Sequence, residues 1–390
     1  MINSHKILEL GSACTGCFAC SNICPKDAIT LPENNEGFYN PVIDEDKCIN
    51  CSLCDKTCPR VEEKHYHTMQ KAYYGWVNDL EVRKNSSSGG IFNLLSNKIL
   101  KDGGVVYGAS FNYDGELRLE CHSTDEVSMQ ELQRSKYVQS HIGYAFRKIK
   151  ANLIEGKNVL FCGTPCQVDG LKSFLRKEYT NLITVDFVCH GVPSMSLLNL
   201  HLRYLGVKNV EEINFRPKNR AWVDDLKIIY DEGHLRNTPW VLDEYFYTFE
   251  TCKNIRPSCF ECKHCNGKRA ADVTLADFWG IHKYKPEEFD VKGISLVLAN
   301  TSIGDELIQS CRESGDCCLQ DLPQEYAEYV YARNRTSQDS HYDIASRNKF
   351  IHDVYKIGYE EALLKHKLKV SKALLIKHKV KQILRILFKK

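Results

Sequence analysis

A chain of 390 residues, 43% hydrophobic and 26% charged, is globular and too long for one ordinary core, so about two or three domains are expected. The net charge of +2 conceals an asymmetry, because residues 365–390 hold ten Lys or Arg and no acid, leaving 42 basic against 50 acidic residues elsewhere. That balance excludes a body that coats nucleic acid. No apolar run approaches the roughly 18 residues of a spanning helix. The 19 cysteines, with no secretory-type N-terminus, point to a reducing cytoplasm in which thiolates serve metals.

Cys14, Cys17, Cys20 and Cys24, the last followed by Pro25, repeat as Cys48, Cys51, Cys54 and Cys58, followed by Pro59. The spacing Cys-x2-Cys-x2-Cys-x3-Cys-Pro places three thiolates on one tight loop around a cubane and turns the fourth toward another cluster. Two such runs complete each other. One [4Fe-4S] cluster is assigned to Cys14, Cys17, Cys20 and Cys58, and a second to Cys48, Cys51, Cys54 and Cys24. Paired zinc sites rarely use this doubled run, and a disulfide framework needs an oxidising compartment. Between the runs, residues 28–32 and 37–44 read as two short strands of a small hairpin. The polar stretch 60–71, with His65 and His67 taken as solvated, closes a ferredoxin-type domain over residues 1–62.

In the segment that follows Lys84, apolar residues Ile91, Leu94, Leu95, Ile99 and Leu100 recur at helical spacing. The cluster Ser86, Ser87, Ser88, Gly89, Gly90 therefore stands at a helix N-terminus. Orphan N–H groups and the positive dipole end make an anion site there, and a plain serine cap explains only one of the serines, so a phosphate-bearing cofactor is expected. Residues 105–111 and 117–122 form a hairpin. Next, residues 156–161 read as a strand that enters Cys162-Gly163-Thr164-Pro165-Cys166-Gln167 and then a helix. The same grammar repeats at residues 182–188, Cys189-His190-Gly191 and a helix over 194–204. Both turns lie at carboxyl ends of buried strands, where α/β sheets place ligands. Residues 226–235 suggest another hairpin. Finally, Cys259, Cys262 and Cys265 form a third dense thiol group, which is either a zinc knuckle or a third [4Fe-4S] cluster in which Cys259 and Cys262 join Cys166 and Cys189. Cys311, Cys317 and Cys318 have no ligand spacing and read as free thiols.

Ser-Ser-Gly-Gly at 87–90, Ser135-Lys136-Tyr137, Gly-Thr-Pro-Cys-Gln at 163–167, Cys-His-Gly-Val-Pro at 189–193, Phe-Arg-Pro-Lys at 215–218, Arg-Pro-Ser-Cys-Phe-Glu-Cys at 256–262 and Asp-Phe-Trp-Gly at 277–280 follow one another in order. Together they resemble the β subunit of coenzyme F-420 (deazaflavin) hydrogenase and dehydrogenase, over about residues 10–300. The resemblance implies an FAD-dependent iron–sulfur oxidoreductase. Ferredoxin or another electron donor would supply the clusters, and FAD would exchange hydride with a small organic substrate. It also implies relatives that act beside polysaccharide genes. Carried over by position, Ser87, Ser88, Gly89, Gly90, Ser135, Lys136, Tyr137, Gly163, Thr164 and Pro165 would bind the flavin. Cys166, Cys189, Cys259 and Cys262 would hold the flavin-side cluster, with Cys265 leaving the fourth ligand open. Lys136, Tyr137, Lys218 and Arg269 are the groups placed near substrate. The rival reading is a non-catalytic subunit that delivers electrons to a partner enzyme, which would have no need of a phosphate-binding helix start.

The architecture expected is α/β, with a mixed-sheet flavin domain over residues 63–335 behind the small ferredoxin-like α+β domain. A helical, basic tail over 336–390 carries Leu374, Leu375, Ile376, Val380, Ile383, Leu384, Leu387 and Phe388 on one stripe. Cations interleaved with such a stripe suit an interfacial helix, so peripheral contact with the inner face of a membrane is expected.

Overall fold

The structure, a computed structural model, describes residues 5–62, 66–218, 222, 225–333 and 343–370. In the N-terminal module β1 (Ile29–Thr30) pairs antiparallel with β2 (Val42–Ile43), the small hairpin expected from the sequence. The strands that follow are β3 (Lys71–Val77), β4 (Val105–Asn112), β5 (Arg118–Ser123), β6 (Val159–Cys162), β7 (Leu182–Phe187), β8 (Val210–Asn214), β9 (Asp225–Tyr230), β10 (His234–Pro239), β11 (Val273–Asp277), β12 (Ser295–Ala299) and β13 (Cys317–Asp321). Eight of them form one mixed sheet in the order β13-β3-β12-β11-β7-β6-β4-β5. Its centre, β11-β7-β6-β4, is parallel, and the remaining neighbours pair antiparallel. A separate antiparallel sheet, β10-β9-β8, contains the hairpin expected over residues 226–235.

The central strands are short continuous apolar runs because helices cover both of their faces. Val106, Leu160 and Val185 point toward the helices Ile91–Lys101 and Ser302–Glu313. Val105, Val159 and Phe161 point the other way, toward Phe146 and Leu171 of the helices Ala145–Ile154 and Pro165–Leu175. Ile7, Phe18, Ile29 and Leu31 of the cysteine module belong to this second apolar cluster. The module is therefore not a separate bead. A unit of its size with two-residue strands buries too little alone, and it completes its core against the sheet's helices.

The loop that precedes the helix Ile91–Lys101 lies directly on β3. A Cβ on Gly89 would stand 2.3 Å from the Gly75 carbonyl oxygen, and Gly90 adopts φ +91°, so both glycines are demanded by the backbone path.

The C-terminal region begins as part of the body. The helices Ile344–Ile357 and Tyr359–Lys365 pack Phe350, Ile351, Val354, Ala362 and Leu363 against Leu197 of the helix Met195–Tyr204. Lys365, counted with the basic tail, pairs with Asp353 at 2.9 Å. The stripe from Leu374 to Phe388 lies outside the described residues, as do most of the ten cations. Among the described residues no helix is long and apolar enough to cross a membrane.

Arg347 holds the C-terminal helices in place. It is fully buried, donating from Nε to the Ile255 carbonyl at 2.9 Å and pairing with Glu36 of the cysteine module at 2.6 Å. Arg347→Ala is expected to lower stability by about 3 kcal/mol, the low end for removing one partner of a buried pair because Glu36 keeps some water. Chemical unfolding followed by tryptophan fluorescence measures this, and an unchanged midpoint would contradict the assigned role.

Candidate functional site: a cysteine relay ending at a cavity

The cysteine module brings its thiols together in two crossed sets. Cys14 and Cys58 both sit close enough to Cys17 and Cys20 to raise their thiols, so the last cysteine of the second run joins the first three of the first run. Cys24 instead joins Cys48, Cys51 and Cys54 around a small hollow. The helices Ala19–Ile23 and Leu53–Thr57 create this pseudo-symmetry, each entered through a left-handed residue, Phe18 or Ser52, that turns its cysteine loop back on itself. Burial, then neighbouring Cys58, pushes the Cys17 thiol well above its ordinary value, and burial with Asp55 pushes Cys54 up to about 12. Thiols that resist ionisation this strongly need a cation beside them to become thiolates, and iron supplies one.

A third set forms in the main body. Cys189 is raised by burial and then by Cys259, Cys166 and Cys265. Cys262 is raised by its hydrogen bond with Cys265 and then by burial. Five thiols thus share one region, and Cys265 is the deeper member of the 262/265 pair at 5% exposure. Donors of this number and softness suit either zinc or an iron–sulfur cluster. The loop differs from the two ferredoxin loops: its residues 259–265 lack the left-handed positions found at Gly16, Phe18, Asn50 and Ser52.

The three sets are in series. Cys20 is influenced by Cys54 of the second set, and Cys17 by Cys166 of the third. Gly170, one turn beyond Cys166, lets this helix approach Cys17, because a Cβ there would meet Cys17 Sγ at 3.0 Å. Arg256, 2% exposed, spans the same junction. It donates to the Cys14 carbonyl (2.7 Å), the Tyr39 carbonyl (2.8 Å), Gln139 Oε1 (3.0 Å) and Asn40 Oδ1 (3.0 Å), while its own carbonyl accepts from the Cys259 N–H.

Cys189 also lines a cavity of about 530 Å³ at the carboxyl ends of β6, β7 and β11, the position where open α/β sheets place ligands. One end is formed by Ser87, Ser88, Gly90, Ser135 and Lys136 around the start of the helix Ile91–Lys101, which has no side-chain cap. The Lys136 ammonium is held down to about 7 by burial and Arg134, and it rests on the Gln133 carbonyl at 2.6 Å. Ser87 Oγ accepts from the Ser135 N–H at 2.6 Å. The other end presents Tyr137, Trp240, Phe249, Trp279 and the Arg216–Asp277 pair (2.8 Å). Burial raises Tyr137, whose hydroxyl meets Arg216.

Gly163 and Thr164 also line this cavity, but Gly89, Pro165, Lys218 and Arg269 do not. Gly89 is turned onto β3 and its N–H donates to Ser295 Oγ. Pro165 is the first residue of its helix, behind the Thr164 cap. Lys218, expected near substrate, spends its ammonium on three carbonyls, Arg83 (2.8 Å), Ser88 (2.5 Å) and Lys292 (2.5 Å), and so fixes the serine–glycine loop instead. Arg269 stands behind the wall, bonded to Asp186 (3.3 Å) and the Tyr331 hydroxyl (2.5 Å). Sequence reasoning passed over Arg216, two residues before Lys218 in the same motif. It also passed over Asp186, whose lone acid inside the apolar strand β7 was the available signal.

Residues 156–325 match the family model for the C terminus of the beta subunit of coenzyme F420 hydrogenase/dehydrogenase, and residues 13–61 match that of a 4Fe-4S dicluster domain. No curated protein matches. Among solved structures, a chain of the F420-reducing [NiFe] hydrogenase complex from Methanosarcina barkeri is 17% identical, with a TM-score of 0.45 over 71% of this chain and 93% of that one. The two matches, with the thiol sets, mark an iron–sulfur electron-transfer protein of oxidoreductase type. More particularly, residues 13–61 are similar to 4Fe-4S dicluster domains and residues 156–325 to the C-terminal part of coenzyme F420 hydrogenase/dehydrogenase beta subunits.

Lys136 makes the cavity sensitive to pH. Its folded-state value, about 7, lies below the ordinary 10.5, so between these limits the unfolded chain holds a proton that the folded one has lost, and stability rises with pH. Unfolding midpoints are therefore expected to climb more from pH 7 to 9 in the parent than in Lys136→Met. Equal slopes would show that Lys136 is not held neutral by its surroundings.

Proposed function

We propose that the protein is an FAD-dependent iron–sulfur oxidoreductase, passing electrons between two ferredoxin-type [4Fe-4S] clusters, a third cluster and a flavin that meets a small organic substrate. The observation that carries this reading is the position of Cys189, which belongs at once to the third thiol set and to the cavity wall. A relay of one-electron sites that ends beside a ligand-sized cavity suits a cofactor able to trade single electrons for electron pairs.

The ligand sets we assign are Cys14, Cys17, Cys20 and Cys58 for the first cluster and Cys24, Cys48, Cys51 and Cys54 for the second. Cys166, Cys189 and Cys259, with Cys262 or Cys265, would hold the third. The uncapped helix start, with Ser87, Ser88, Gly90, Ser135 and Lys136, offers N–H, hydroxyl and ammonium donors to a pyrophosphate. Gly163 and Thr164 would border the same cofactor. The aromatic end around Tyr137 would receive the ring system and substrate, with the Tyr137 hydroxyl as a proton-bearing group. Lys218 and Arg269 would act only by positioning the walls. Ferredoxin, or a carrier like it, would meet the second cluster, where Cys51 is exposed. A subunit that only forwards electrons would leave the cavity and its donors without purpose.

Anaerobically purified protein is expected to contain about twelve irons per chain, four for each cubane, falling to about eight in Cys259→Ser. It should also release about one FAD. Ser87→Asp keeps an acceptor for the Ser135 N–H but adds an anion beside the helix start, so it should lose flavin while retaining iron. Retention of flavin by this variant would remove the phosphate assignment, and an iron content unaffected by Cys259→Ser would remove the third cluster.

A further inference from the structure

The sequence offers no motif at His5, yet its imidazole is 3% exposed and faces the hollow of Cys24, Cys48, Cys51 and Cys54. Nε2 lies 3.4 Å from Cys48 Sγ, and Nδ1 lies 3.6 Å from Cys54 Sγ. Asp55 holds the ring at the nitrogen that also faces Cys54. Its Oδ2 is 3.4 Å from His5 Nδ1, and its Oδ1 accepts from the Ile7 N–H at 3.0 Å, so the helix Lys6–Glu9 is fastened to the helix that carries Cys54. A sulfur bound to iron carries no proton and can only accept, so the donor is whichever ring nitrogen carries the hydrogen, Nε2–H to Cys48 Sγ or Nδ1–H to Cys54 Sγ.

We infer that His5 donates a hydrogen bond to a ligand sulfur of the second cluster, that of Cys48 or Cys54, and raises its reduction potential above that of the first. The inference rests on the iron–sulfur reading of the cysteine module. An added electron makes a thiolate-ligated cluster more negative, and a donor on its sulfurs stabilises that charge. Backbone N–H groups serve both sets, Gly16 on Cys14 Sγ (3.4 Å), Ala19 on Cys17 and Arg60 and Val61 on Cys58 in the first, and Ala28 on Cys24 Sγ (3.3 Å) in the second, so the imidazole is what the second set adds. Cys14, Cys17, Cys20 and Cys58 are also all buried, whereas Cys51 reaches solvent. Exposure and the histidine therefore act in the same direction, and the second cluster accepts the first electron.

The test is an EPR-monitored redox titration of the full-length chain, purified without oxygen, beside His5→Ala, His5→Gln and Cys54→Ser. The parent should show two separate steps for the module, the higher of which disappears in Cys54→Ser. His5→Ala should move that higher step to lower potential with iron content unchanged, and His5→Gln, which keeps an N–H donor, should recover part of the shift. An unmoved step in His5→Ala at full iron overturns the inference. Loss of about four irons in His5→Ala also overturns it, since the imidazole would then be needed to hold the cubane. Fewer than about eight irons in the parent would instead overturn the two-cluster reading itself.

Discussion

The junction made by Arg256 is the constraint on which the rest of the molecule depends. One buried guanidinium takes two backbone carbonyls and two side-chain oxygens from segments that surround the first thiol set, while its own peptide unit anchors the loop of the third. Each of these acceptors is fixed in space by other bonds, so the planar fork cannot rotate without breaking several of them together. The separation between Cys17 and Cys166 is set by this geometry and by the close approach allowed at Gly170. A lysine could carry the charge but not the fork, and the two thiol sets would then be joined by a flexible tether.

The same junction explains why the cysteine module shares an apolar core with the sheet. Electron relays tolerate little change in spacing, and a module tied on by a linker would sample many distances. Here Phe18 and Ile29 pack among the residues that also surround Phe146 and Leu171, and Arg347 ties Glu36 to the loop at Ile255. Burial and charge pairing therefore both fix the position of the first set.

Much of this was legible in the sequence because it is local. The doubled cysteine run dictates its crossed grouping, since three positions on a tight loop face one way and the fourth faces away. The β–turn–α segments at Cys162 and Cys189 announce themselves through apolar runs that end in Gly and Pro. What was not legible depends on side chains that leave their own element. Lys218 and Arg216 occupy nearby places in one motif, and only the three-dimensional path shows that the lysine turns to the carbonyls of the serine–glycine loop while the arginine reaches the cavity. Gly89 looks like a phosphate glycine from its neighbours, but its missing side chain serves the packing against Gly75. His5 precedes every recognisable motif and meets Cys48 and Cys54 only through the fold. The docking of residues 343–370 was hidden for a similar reason, because their apolar stripe resembles that of any amphipathic helix until its partner is known.

The thiol sets also bear on how this fold is reached. Cys17, Cys20, Cys54 and Cys58 are all pushed up chiefly by burial, and so are Cys166, Cys189 and Cys259. Without a cation these groups remain protonated, and their sulfurs fill apolar surroundings as weak donors. Over residues 13–61, where the 4Fe-4S dicluster match falls, iron would drive their ionisation by coordination, and the free energy of binding would become free energy of folding. The module's strands are two residues long and its helices five, too short to persist by hydrogen bonding alone. Cluster binding in the module would therefore stabilise the same packing that docks it on the sheet and brings Cys17 up to Cys166.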